Sequence, residues 1–224
     1  MFERFKQIGR DLFLTGLNDS HSGNISIRDG EKIVITSKFC LLSNLNERDM
    51  IEVSFDEDKD KDSFASRDLL LHRSIYKNTG AKAILHAHAP NLVALSITEN
   101  KIMPQDTKSQ YFMPQGLPIA KVRQPSSIEE NTRLVLSVLN STYKGVVVKG
   151  HGIYVYGISP EECFEMVSCL ESSAKIIIIT KQLTPPKQQE APKYDYNRKR
   201  SAIPPSIGVM GRRTGTFNNN RRGS

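Results

Sequence analysis

The stretch "NISIRDGEKIVIT" (residues 24–36) constrains the fold more than any other. Ile25 and Ile27 alternate with polar residues, "RDGE" supplies a tight turn, and "KIVIT" resumes an apolar run. Side chains on a strand alternate between two faces, and a short Gly-containing turn returns the chain beside itself. The two segments therefore pair antiparallel. A purely parallel α/β sheet is excluded, because parallel neighbours need long crossovers.

Other segments fit around this hairpin. Residues 2–17 repeat Phe2, Phe5, Ile8, Leu12 and Leu14 at helical spacing. "DMIEVSF" (49–55), "KAILHAH" (82–88), "IAKV" (119–122), "GVVVKG" (145–150) and "GIYVYG" (152–157) read as strands. Helices are expected over 66–78, from Pro90 to about Ile97, over 127–140, and from Pro160 through "KIIIITKQL". Ser127 with Glu130 three residues on, and Ser159 before Pro160, are cap signals. Residues 38–48 and 100–117 read as irregular, and "DEDKDKD" (56–62) as a solvated charged turn. Helices mixed with short hairpin strands predict a layered α/β domain around a largely antiparallel sheet.

Charge divides the chain. Residues 184–224 carry nine Lys/Arg against Glu190 and Asp195, a net +7, so residues 1–183 are neutral. Five of eleven prolines also fall after Thr184. The expected organisation is a domain over 1–183 and a basic tail over 184–224 without a stable fold of its own. Such a tail attracts polyanions without specific readout. A plain extension, or an arm against a neighbouring copy, is the reading preferred to nucleic-acid binding. No apolar run reaches the length of a membrane span. The odd cysteine count (Cys40, Cys163, Cys169), without a CxxC pair, suits a reduced, cytoplasmic protein.

Five histidines are present, and two sit in "ILHAHAP". On a strand, His86 and His88 share a face, with small Ala87 turned to the other. Two imidazoles so placed can meet one cation. A catalytic zinc takes three protein ligands and an open position. His151, between Gly150 and Gly152, is the candidate third. The competing reading is a pair of hydrogen-bonded or surface histidines, and spacing alone leaves both open. His21 and His72 read as structural or supporting groups.

The segments "SGNISI", "SRDLLLH", "ILHAHAPN" and "GHGIYVYGISPEEC", in this order, resemble the class II aldolase/adducin family over about residues 2–182. That family includes L-fuculose-phosphate aldolase, L-ribulose-phosphate 4-epimerase and methylthioribulose-phosphate dehydratase. The resemblance implies a three-layer α/β/α domain with a mainly antiparallel sheet. It implies zinc or another divalent metal on His86, His88 and His151, and a homotetramer with sites between subunits. It implies cleavage of a small phosphorylated ketose through a metal-stabilised enediolate.

Asp68 stands where the aldolases carry a catalytic Glu, and where the epimerases carry Asp. A helix-start acid favoured by the macrodipole is its bland alternative. His72, four residues on, shares its helix face and can orient it. Tyr111 matches a proton-donating tyrosine that reaches a neighbouring subunit's site; a packing tyrosine is the alternative. Gln110 stands where the epimerases use Asp, which argues against epimerisation. Gly23, Asn24, Ser37 and Ser66 match phosphate-binding positions. Lys38 and Arg67 replace small donors there, and long cations suit a phosphate or a carboxylate. Sugar-phosphate epimerisation or dehydration on the same metal, and a non-catalytic adducin-like scaffold with a basic tail, are the competing functions.

Overall fold

The computed structural model of the chain describes residues 1–123 and 127–183. The expectation of an unfolded tail over 184–224 lies outside the described residues. The elements run α1 (Phe2–Leu14), β1 (Asn24–Asp29), β2 (Lys32–Thr36), β3 (Met50–Ser54), α2 (Lys59–Asp62), α3 (Leu69–Asn78), β4 (Ala83–Ala87), α4 (Pro90–Thr98), β5 (Lys101–Ile102), α5 (Thr107–Phe112), β6 (Leu117–Ala120), α6 (Ile128–Leu136), β7 (Gly145–Val148), β8 (Gly152–Gly157) and α7 (Pro160–Leu183).

The eight strands form one sheet in the order β3-β2-β1-β4-β8-β7-β6-β5. All neighbours are antiparallel except β6 and β7, which are joined through α6 and run parallel. The hairpin read from "RDGE" is β1–β2, with Asp29 opposite Lys32 and Gly30 at φ +59° in the turn. Strand alternation builds two cores. Ala83, Leu85, Ile153 and Val155 face one side with Phe5, Leu12, Leu92, Met166 and Leu170 from α1, α4 and α7. Ile84, Tyr154 and Tyr156 face the other with Leu71, Ile75 and Val135 from α3 and α6. Helices on both faces of a mainly antiparallel sheet make the three-layer α/β/α domain.

Several boundaries differ from the sequence expectation. The first helix stops at Leu14, because Gly16 takes φ +70° and the chain turns. The helix expected from residue 66 starts at Leu69, with Asp68 at its N-cap position. Residues 100–117 hold β5 and α5, the latter capped by Asp106, whose carboxylate accepts from Ser109 N at 2.9 Å. The helix over 127–140 ends at Leu136, while Ser127 caps it as expected by accepting from Glu130 N.

The "DEDKDKD" run is more than a solvated turn. Asp58 caps the short α2, and Asp62 at its end forms a two-pronged ion pair with Arg73 of α3 at 2.5 and 2.7 Å. Arg73 also donates to the Ser54 and Asp56 carbonyls. The guanidinium is buried. Alternation in a charged run gives no sign of which acid will meet a buried partner. Among the described residues no helix is long and apolar enough to cross a membrane.

Candidate metal centre and its cleft

His86 lies on β4, on the face that Ile84 shares with α3 and α6. β4 is central, between β1 and β8, and pairs His86 with Asn24 on one side and Tyr154 on the other. That register joins three segments far apart in sequence. His88 follows β4 directly, its backbone N–H held by Asn18 Oδ1 at 2.8 Å. His151 sits in the turn between β7 and β8, where Gly150 takes φ +68°.

The three imidazoles converge. His86 Nε2 is 3.0 Å from His88 Nε2 and 3.2 Å from His151 Nε2. All three ligand atoms lie within 4.8 Å of one another. Three nitrogens bound to one zinc at about 2.0–2.1 Å in a tetrahedral arrangement would stand about 3.3 Å apart. The protonation pattern also fits. His86 Nδ1–H donates to the Ile153 carbonyl at 2.9 Å, so Nε2 carries the lone pair. Burial drives the His86 pKa down to about 3. Burial lowers His88 and His151 as well. Neutral imidazoles are the form that ligates a cation, and the His86 Nε2 lone pair faces the other two rings.

Gly152 makes room for this cluster. A Cβ there would stand 2.5 Å from the Ala87 carbonyl oxygen and 2.8 Å from His86 Cε1. Gly23 is under a similar constraint at φ +79°, where a Cβ would meet the Asn18 side chain and the His86 carbonyl.

Asp68 Oδ2 lies 4.0 Å from His86 Nε2. It accepts from Asn24 Nδ2 at 2.7 Å and from the Tyr154 hydroxyl at 3.0 Å. Its side chain makes no helix-capping bond, so it does not serve α3 as an ordinary first-turn acid. Burial opposes its charge, but His86, His72, Asn24 and Tyr154 outweigh burial and hold the carboxyl below the usual range. Burial and Asp68 together push the Tyr154 hydroxyl well up, so it remains a donor. The Tyr154 ring stacks on His86, centroids 3.9 Å apart and 6° from parallel.

A cleft of about 500 Å³ opens over these groups. Besides the three histidines and Asp68, its walls carry Gly23, Asn24, Ser37, Lys38, Ser66 and Arg67. Lys38 and Arg67 are exposed, and Lys38 Nζ rests 4.9 Å above the Phe39 ring. Ser66 is buried and accepts from Asp68 N at 3.3 Å. The Asn24 amide is directed at Asp68. Tyr111 is not among the cleft residues; it stands 82% exposed on α5.

Sequence reasoning missed Tyr154, Asn18 and Asp19. Tyr154 was detectable in principle, since a β4–β8 pairing puts it beside His86. Asn18 and Asp19 lie in a turn with no periodic signal; Asp19 lines the cleft near His88. His21 also lines the cleft, with Nδ1 2.9 Å from Ser20 Oγ. His72 does not bond Asp68 through its side chain; its Nδ1 meets Ser26 Oγ at 2.7 Å.

Comparison with known proteins agrees with this architecture. The profile of the family described as "Class II Aldolase and Adducin N-terminal domain" matches residues 3–178. An L-fuculose phosphate aldolase of Methanococcus maripaludis is 29% identical over 164 residues, covering 72% of this chain and 87% of that protein. A 3-oxo-tetronate 4-phosphate decarboxylase of Cupriavidus necator is 27% identical over 180 residues, covering 78% and 82%. A probable bifunctional methylthioribose-1-phosphate isomerase/methylthioribulose-1-phosphate dehydratase of Nocardia farcinica is 23% identical over 196 residues; the match spans 79% of this chain but 35% of that longer protein. The crystal structure of L-fuculose-1-phosphate aldolase from Thermus thermophilus superposes with a TM-score of 0.75 at 28% identity, covering 81% of this chain and 94% of that one.

Proposed function

The chain belongs to the class II aldolase and adducin N-terminal domain family, and we propose on that premise that it is a zinc-dependent lyase cleaving a small phosphorylated ketose in the retro-aldol sense. One observation carries the reading: three imidazole nitrogens converge beside a hydrogen-bonded carboxylate in an open cleft. A non-catalytic scaffold has no need of that arrangement.

His86, His88 and His151 would hold the cation. When bound, a zinc ion supplies Lewis acidity to a substrate carbonyl oxygen. The chain's own residues do the rest. Asp68 exchanges the proton on the carbon beside that carbonyl. Both side-chain hydrogen bonds to Asp68 fall on Oδ2, which fixes the carboxylate. Gly23, Ser37 and Ser66 line a part of the cleft suited to an anionic group, Lys38 and Arg67 add two exposed cations, and Asn24 is engaged by Asp68 instead. Tyr111 of a second copy would carry the proton at the departing aldehyde oxygen, which makes a homo-oligomer, most simply a tetramer, part of the proposal.

Relatives named as a dehydratase and as decarboxylases favour a second reading, in which the same carboxylate and cation serve dehydration or decarboxylation of a keto-sugar phosphate. A panel separates the two. The zinc-loaded full chain is offered ketose 1-phosphates, a methylthio-substituted ketose phosphate and a 3-keto aldonate phosphate, and products are identified. Aldehyde plus a three-carbon ketone phosphate is expected; release of water or carbon dioxide instead overturns the retro-aldol assignment. Asp68→Asn is expected to keep its zinc and lose about 10²–10⁴-fold in turnover, the range for a positioned acid–base group. Full turnover in that variant removes Asp68 from the chemistry.

A further inference from the structure

Two of the three imidazoles stand on connections rather than on strands, and one helix, α4, meets both connections. His88 lies between the end of β4 at Ala87 and the start of α4 at Pro90. His151 ends the turn between β7 and β8, since Val148 and Gly152 are the pair that closes their ladder. A ligand on a turn is only as well placed as the turn, and the turn's backbone N–H groups show what fixes it. Lys149 N donates to the Ala120 carbonyl at 2.9 Å and His151 N to the Val148 carbonyl at 3.0 Å, both carbonyls of the sheet. The Gly150 N–H goes elsewhere. It donates to Ser96 Oγ on α4 at 2.9 Å.

Ser96 is fully buried and its hydroxyl is fully used. The hydroxyl hydrogen goes to the Val93 carbonyl, one turn back, at 2.6 Å. The oxygen is left to face the turn as an acceptor. Inside a helix such a back-bond slightly destabilises, so α4 itself gains nothing from a hydroxyl here. The bond to Gly150 accounts for it. The helix that carries Ser96 is anchored in turn. Ala89 gives α4 no side-chain cap. The buried Glu171 of α7 supplies the acceptors instead: Oε1 takes Asn91 N and Asn91 Nδ2, both at 2.8 Å, and Oε2 takes Leu92 N at 2.9 Å. A carboxylate on the positive end of the helix fixes where α4 begins, just past His88.

We propose that Ser96 is a positioning residue for the metal ligands: α4, anchored by Glu171 beside His88, reaches through Ser96 to the turn that carries His151 and so sets the spacing of the two imidazoles. The proposal rests on the reading that His86, His88 and His151 hold a divalent cation, and zinc uptake by the wild-type chain tests that reading by itself.

Zinc affinity of the full chain is measured by competition with a chromogenic chelator. Ser96→Ala is expected to bind zinc about 10–100-fold more weakly, the range for a disturbed group behind a metal ligand. Ser96→Thr keeps the acceptor and is expected within about threefold of wild type. A role in folding alone would lower the urea midpoint of the zinc-free Ser96→Ala chain without touching its zinc affinity. Wild-type affinity in Ser96→Ala, or an equal loss in both variants, therefore overturns the proposal. Linkage adds a measurement that needs no variant. If the Gly150–Ser96 bond strengthens zinc binding about 10-fold or more, zinc strengthens that bond by the same factor, and amide exchange at Gly150 in the wild type is expected to slow at least about 10-fold on zinc loading. Exchange at Gly150 that zinc leaves unchanged, in a chain that takes up zinc, overturns the proposal and leaves the metal reading standing. A wild-type chain that takes up no zinc overturns the metal reading, and the proposal with it.

Discussion

At Gly152 the demands of backbone and site meet on one hydrogen atom. The residue lies at the start of β8, opposite Val148, and its missing side chain is what lets the His86 ring occupy its place. An alanine methyl would stand 2.5 Å from the Ala87 carbonyl and 2.8 Å from His86 Cε1, closer than side-chain carbons approach. The carbonyl belongs to the central strand and cannot yield. Relief must come from β8 and the ring together, which displaces His151 or the His86 Nε2 atom it faces. Gly152→Ala is expected to weaken zinc binding by about 10–100-fold, the scale seen when a group orienting a metal ligand is disturbed. Competition with a chromogenic chelator measures it. Wild-type zinc affinity in the variant would mean that the triad does not depend on this close approach.

Among elements, the short α2 shows why charge patterns mislead. The sequence offers seven acids and bases in a row, and nothing in them distinguishes Asp62 from its neighbours. The distinction comes from α3, which sends Arg73 inward to meet it, and from the end of β3, whose Ser54 carbonyl takes a further bond. Asp62→Asn leaves a buried guanidinium with its two carbonyl partners but no counter-charge. The expected cost is about 2–3 kcal/mol at neutral pH. Burial works against the Asp62 charge, yet the Arg73 hydrogen bonds outweigh it, and the folded-state pKa is lowered. A carboxyl with a lowered folded pKa stabilises above its unfolded value, about 3.9, and that contribution disappears as pH falls through the folded value. Urea unfolding of wild type and variant should therefore diverge at pH 7 and draw together below about pH 4. A pH-independent gap would assign the loss to packing alone.

The same contrast governs what the sequence could tell. Hairpin chemistry, period-two strands and Pro-led helices are local, so β1, β2, β4, β7, β8, α4 and α7 were legible from residues 24–36, 82–88, 90–97 and 145–183. Boundaries shifted where tertiary partners intervened, as at Asp68, whose side chain leaves the helix end for Asn24 and Tyr154. For the site, parity alone put His86 and His88 on one face. The approach of His151 depends on β4 pairing with β8, a contact across some 65 positions that no local rule encodes. Tyr154 needed the same pairing and was overlooked.

For the whole molecule the open matter is Tyr111. Within one chain it is 82% exposed on α5, packed edge-on against Phe112 and outside the cleft. Phe39 and Phe64 elsewhere on the chain are exposed as well. If Tyr111 serves the cleft of a second copy, Asp68 and Tyr111 of one working site come from different chains. That division has a consequence which a tyrosine acting only in packing lacks. Asp68→Asn and Tyr111→Phe chains, each impaired alone, should complement when co-expressed. In a randomly mixed closed oligomer with equal parts, each site draws either partner independently, so about a quarter of the sites would hold both wild-type groups. Activity of the mixed preparation should rise toward about a quarter of wild type, in proportion to hybrid formation followed by native mass spectrometry. Hybrids that form yet remain as inactive as their parents would place the two residues in the same chain's site, or Tyr111 in none.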